Sequence, residues 1–86
     1  MLKDIIAVKP LENYGLHLIF EDGVEGTIHL KDLIQFTGVF EPLLNPHYFA
    51  TVEVNADLGT VCWKNGADLD PVVLYTVMTG QPIKIN

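Results

Sequence analysis

Eighty-six residues make one domain at most, and a chain this short buries only about 60–65% of its unfolded surface, in one core. A 49% hydrophobic content argues against disorder, while 19% charged residues falls short of the usual soluble domain and leaves apolar surface to be hidden. Eleven acids against five lysines and no arginine, net charge −6, argue against direct nucleic acid binding and remove bidentate recognition of guanine or phosphate.

Near the start, Ile5 to Val8 is a short apolar run closed by Lys9-Pro10 and the loop Leu11-Glu12-Asn13. It reads as a first strand, and the six residues before Ala7 lack the apolar core and cleavage site of a signal peptide. From Tyr14 to Phe20 the chain alternates, with Leu16, Leu18 and Phe20 on one face. Asp22-Gly23 then precedes a second alternating run, Val24 to Leu30, and Asp-Gly between such runs predicts an antiparallel hairpin. That pairing puts position 17 near 26 or 27, and position 29 near 14 or 15.

The period changes at Lys31. Asp32 is expected to cap a short helical turn carrying Leu33, Ile34 and Phe36, and Thr37-Gly38 to end it. Val39 to Leu44 reads as a second helical turn with Pro42 near its start, stopped by Asn45-Pro46. Tyr48 to Val54 returns to period two, and Phe49–Val54 with Thr60–Trp63 predicts a second hairpin around a turn at Asn55–Gly59. After Asn65-Gly66, Asp70 before Pro71 has the form of a helix cap with proline at the first helical position. Leu69 and Leu74 have the spacing of a hydrophobic staple, and Gly80 with Pro82 ends the helix.

The predicted fold is α+β. A mostly antiparallel five-stranded sheet, ordered β-β-β, short helical segments, β-β-α, carries the helix packed on one face. Residues 1–80 form the single domain, and 81–86 a short C-terminal tail. No apolar run approaches the length of a membrane span. The lone Cys62 permits no internal disulfide and no cysteine-paired zinc site, which fits a reducing, cytoplasmic location.

Few residues offer chemistry. His17, His29 and His47 have neither the spacing nor the cysteine companions of a metal site, so ordinary hydrogen-bonded histidines are expected. Cys62 reads as a small buried hydrophobe rather than a nucleophile. Asp68 and Asp70 stand two apart, as paired acid–base or cation-binding carboxylates do, but Asp70 has structural work as a cap. Trp63 reads as a core anchor, or as an interface contact if it is partly exposed beside its turn. Trp63, Asn65 and Asp68 are therefore the candidate interaction residues, with Asp70 and Pro71 the structural helix cap. No catalytic residue, cofactor or metal is expected, and the chain leans away from an enzyme.

Four segments carry a family resemblance. They are Phe20-Glu21-Asp22-Gly23, Gly38-Val39-Phe40-Glu41-Pro42-Leu43, Leu58-Gly59-Thr60-Val61, and Trp63 through Pro71 followed by Leu74 and Tyr75. In these the chain resembles the DUF2442 family of small bacterial proteins of unknown function, from about Ile5 to Tyr75. It departs from the family at Lys64, where proline is frequent, which implies a less rigid loop.

Some family members look fused to a helix-turn-helix domain, and others are encoded beside small basic-looking proteins in a toxin–antitoxin-like arrangement. The resemblance thus implies a protein-binding or regulatory module, antitoxin-like, paired with a basic protein from an adjacent gene. The present chain leaves no room for a fused helix-turn-helix, so any DNA binding is expected from the other chain. Two alternatives from other classes are a small-molecule binder or enzyme using the 63–71 loop, and a simple structural homodimer.

Overall fold

The computed structural model describes residues 3–80. Strands β1 (Ile5–Leu11), β2 (Gly15–Phe20) and β3 (Glu25–His29) form an antiparallel sheet in that order. The hairpin register sets His17 opposite Thr27 and His29 opposite Gly15, as the Asp22-Gly23 turn requires. Gly23 takes a φ of +90°, which an L side chain would resist. Leu16, Leu18 and Phe20 have no exposed surface, and Ile28 opposite Leu16 joins them.

β1 runs past Lys9-Pro10, where a strand end was expected, to Leu11. The reason lies in the ladder. The Phe20 N–H bonds to the Val24 carbonyl, so alternate β2 residues, including Leu16, turn their backbone toward β3. Pro10 lies opposite Leu16, so its missing N–H falls on the open edge of β1, where proline is tolerated. The turn from β1 to β2 is unusual. Asn13 and Tyr14 both have left-handed backbone, at φ 57° and 60°. The ring of Tyr14 is held by Phe36 at 5.1 Å and by Phe49 at 5.4 Å, and its hydroxyl donates to the Leu44 carbonyl at 2.5 Å.

The helical cover differs from the expectation in two places. Its first turn spans Leu30–Asp32, so Asp32 lies inside it and makes no side-chain cap, and Leu33, Ile34 and Phe36 follow it without helix. The chain turns as soon as Leu30 reaches the core. A second 3₁₀ segment covers Gly38–Leu44, with Pro42 inside it and Leu43 fully buried. Asn45-Pro46 then starts an element instead of only stopping one. Asn45 Oδ1 accepts the His47 N–H at 2.9 Å, Pro46 takes the first position, and helix α1 spans Pro46–Phe49. Tyr48 and Phe49 are therefore helical, and strand β4 is only Glu53–Asn55.

β4 pairs with β5 (Thr60–Cys62) in a separate two-stranded sheet, so the strands divide into three and two instead of forming one sheet of five. Among the described residues one backbone bond links the sheets, from the Ile5 N–H to the Gly59 carbonyl at 2.9 Å. Gly59 has a φ of +70°, outside strand geometry, so pairing cannot propagate through it. The buried apolar residues of both sheets nonetheless form one cluster, from Ile5 to Leu74.

Helix α2 (Pro71–Thr79) begins at Asp70, whose Oδ1 accepts the Val72 N–H at 2.9 Å. Leu69 before the cap and Leu74 inside the helix both enter the core. Gly80 closes the helix in left-handed conformation, its N–H bonded to the Thr76 carbonyl. The expected stop at Pro82 and the 81–86 tail lie outside the described residues. The ring of Tyr75 meets Phe20 edge-on at 5.0 Å. Its hydroxyl donates to Asp22 Oδ2 at 2.6 Å, fastening α2 to the first hairpin turn.

That bond has a pH signature. The Tyr75 hydroxyl, with help from the Val24 N–H, holds the Asp22 carboxyl below its ordinary 3.8, and the same bond raises Tyr75 above 10.0. Asp22 therefore contributes stability that is complete above 3.8 and is lost as pH falls through its lowered folded value. Tyr75 contributes below 10.0 and loses its share as pH rises through its raised value. Replacing Tyr75 with Phe is expected to lower the urea midpoint at about pH 7 and to leave a smaller difference from the parent at about pH 2.5. The same difference at both pH values would refute the clamp.

Candidate functional site

The segment from Trp63 to Pro71 is built as a tight return. The Trp63 N–H bonds to the Ala67 carbonyl at 2.9 Å, and Gly66 turns the chain at φ +93°. The Leu69 N–H then bonds to the Val61 carbonyl at 3.3 Å, and Asp68 lies opposite Cys62. β5 thus has β4 on one side and an unexpected extended stretch, 67–69, on the other. Alternation fixes the side chains. Ala67 and Leu69 are buried, while Asp68 and Asp70 face solvent on the same side, about 7 Å apart at the backbone. That alternation was readable in the sequence, but three residues between a turn and a cap are too short to stand out as a strand.

Trp63 is 2% exposed. Its indole N–H donates to the Phe49 carbonyl at 3.0 Å, and its ring lies 5.9 Å from that of Phe49. The structure gives it the packing role and no open surface.

Asn65 is exposed yet fully engaged. Its Nδ2 donates to the Val39 carbonyl at 2.9 Å, and its Oδ1 accepts the Ala67 N–H at 3.1 Å. Its own N–H donates to the Tyr48 hydroxyl at 2.9 Å. The bonds to Val39 and Tyr48 tie the turn to the helical cover, the one to Ala67 closes the turn on itself, and Tyr48 gave no sign of this role in the sequence.

Asp68 differs from both. Its carboxylate makes no hydrogen bond or ion pair with any described residue, although its backbone is fixed in the extended stretch. One oxygen of Asp70 is used by the helix cap, and Pro71 follows at the first helical position.

The remaining candidates stand apart. His17 approaches Thr27 Oγ1 at 3.4 Å and Glu25 Oε1 at 3.8 Å on the outer face of the first sheet. His29 and His47 are exposed elsewhere, and Cys62 is half-buried. No group of three His, Cys, Asp or Glu residues is placed to hold a metal ion among the described residues.

Two surface clefts are lined by described residues. The larger, about 570 Å³, runs beside the strained turn and is lined by Pro10 to Tyr14, Pro46, Phe49 and Ala50. Its polar side chains are those of Glu12, Asn13 and Tyr14. The smaller, about 230 Å³, lies between the helical cover and the start of α2. Leu33, Ile34, Phe40, Leu69, Val73 and Leu74 form its walls, and Asp68 and Asp70 stand at its edge. The sequence marked the two carboxylates, but not the apolar walls brought to them from residues 33–40.

The DUF2442 family profile, described as a protein of unknown function, matches residues 5–79. No curated protein and no solved structure matches the chain. With that span covered, the chain belongs to the DUF2442 family.

Proposed function

We propose that this member of a family of unknown function is a protein-binding module, antitoxin-like in role, whose acidic surface receives a basic partner encoded by an adjacent gene. The observation that carries this reading is a charge imbalance left open by the fold. The chain has eleven carboxylates against five lysines. Among the described residues no lysine comes within 4.0 Å of any carboxylate, and the one contact of opposite ionisable groups is His17 with Glu25. Unpaired surface charge of one sign draws a partner of the other sign and speeds the encounter.

Apolar surface supports the same reading. Val39, Leu44, Val73 and Val77 are each more than a third exposed. Trp63 is not available for contact, so Asp68 is the member of the candidate set that reaches a partner, with Asn65 shaping the turn beneath it. No helix among the described residues is long and apolar enough to cross a membrane.

Co-expression with the product of the adjacent gene, one of the two tagged, tests the proposal. The expected result is co-elution at low ionic strength and separation as salt screens the charges. Elution of this chain alone at low salt would count decisively against it. Self-association would draw on the same exposed valines and leucines, and light scattering on the isolated chain reads it directly.

A further inference from the structure

Resting on the reading above, we infer that the partner docks at the cleft between the helical cover and α2. It does so through a basic amphipathic helix, with a bulky apolar side chain in the cleft and lysine or arginine on Asp68 and Asp70.

The shape of the site is apolar. Ile34 and Phe40 wall one side and Val73 the other, around a volume of about 230 Å³ that admits a large aliphatic or aromatic side chain. Val73 is 38% exposed, and Val77, one turn further along α2, is 47% exposed. The two valines extend the apolar surface beyond the cleft along one stripe of the helix. A helix laid across such a surface buries its own apolar stripe there.

Charge selects the occupant. Asp68 and Asp70 project from one side of an extended stretch about 7 Å apart. Basic side chains one turn apart on a helix start about 5–6 Å from each other, and their flexible stems span the remaining difference. Asp68 has no competing partner among the described residues, and Asp70 keeps one oxygen outside its cap bond. No lysine of the described chain reaches either carboxylate. The larger cleft beside Tyr14 has a single carboxylate, Glu12, and offers a basic partner less.

The test uses the full isotope-labelled chain and two synthetic helical peptides. One carries a leucine stripe flanked by lysines one turn apart; the other has glutamates in place of the lysines. Amide shifts with the first are expected at Ile34, Phe40, Asp68, Leu69 and Val73, and no shifts with the second. The double variant Asp68→Asn and Asp70→Asn is expected to weaken binding about fivefold, the scale of two rim ion pairs. Asparagine also caps helices, so α2 is retained. Val73→Gln, a polar residue suited to the first helical turn, is expected to weaken binding further.

Shifts confined to another surface, unchanged affinity in the double variant, or equal binding of the glutamate peptide would each overturn the assignment. Co-purification with the adjacent-gene product separates this failure from the broader one. A partner recovered equally by the parent and by the triple variant removes the cleft and leaves the binding module standing. A partner recovered by neither removes both.

Discussion

Replacing Trp63 with Ala is expected to lower stability by about 4 kcal/mol, close to the whole margin of a small domain. Three losses combine. The ring is 2% exposed and sits against Phe49, so its removal leaves a large cavity in the core. The Phe49 carbonyl loses its indole donor and keeps the Val52 N–H at 3.2 Å, so the lost hydrogen bond costs about 1 kcal/mol. Lastly, the Trp63 backbone anchors the 63–67 return, which loses the ring that pins it. Urea unfolding followed by circular dichroism measures the change. Trp63→Phe is the informative partner variant. It keeps an aromatic ring but not the indole donor, and is expected to recover more than half of the loss. A destabilisation below about 1 kcal/mol in the Ala variant would show that the core does not close around this ring.

The second large effect belongs to Tyr14, and its size depends on what replaces the ring. Tyr14→Ala is expected to cost about 3 kcal/mol. Two aromatic contacts are lost, worth about 0.5–1.5 kcal/mol each beyond their buried area. The hydroxyl bond to Leu44 adds about 1 kcal/mol. Alanine does not relieve the backbone, because any L residue at φ 60° carries about 1–2 kcal/mol of left-handed strain. Tyr14→Gly removes that strain and is expected to be less damaging than Ala, although it deletes more of the side chain. Tyr14→Phe isolates the hydroxyl at about 1 kcal/mol. Thermal melts of the three variants give the ordering Phe, Gly, Ala from most to least stable. Ala above Gly would show that the left-handed turn carries no strain.

Local chemistry made part of this fold legible. Asp22-Gly23 between two alternating runs sets the hairpin and its register, because turn and periodicity agree. Asp70-Pro71 signals the start of α2 for the same kind of reason, since a long apolar run follows. Asn45-Pro46 is chemically the same signal, a capping side chain followed by proline at the first helical position. There the proline reads as a stop, because it also ends the preceding 3₁₀ segment and only three helical residues follow it. A proline marks a boundary in either direction, and what lies beyond decides which.

The division into two sheets was less accessible. It depends on Gly59, where the left-handed backbone interrupts a contact made by Ile5, far away in sequence. The site divides in the same way. Asp68, Asp70 and the turn at Asn65-Gly66 are marked by adjacent residues. The partners of Asn65, Val39 and Tyr48, come from another part of the chain, as do the walls at Ile34 and Phe40. Neither set leaves a local pattern.

The bond between Asp22 and Tyr75 spans 53 residues, and Phe20 in the first hairpin lies beneath the same tyrosine. On the ribosome the hairpin is made early and its cover late. Until Tyr75 has emerged, the nascent sheet shows water an aromatic ring that the finished protein hides completely. Burial of the core therefore waits for nearly all of the described chain, and such long-range closure slows folding. During that interval the growing chain offers an apolar face to chaperones, or to any partner made close by.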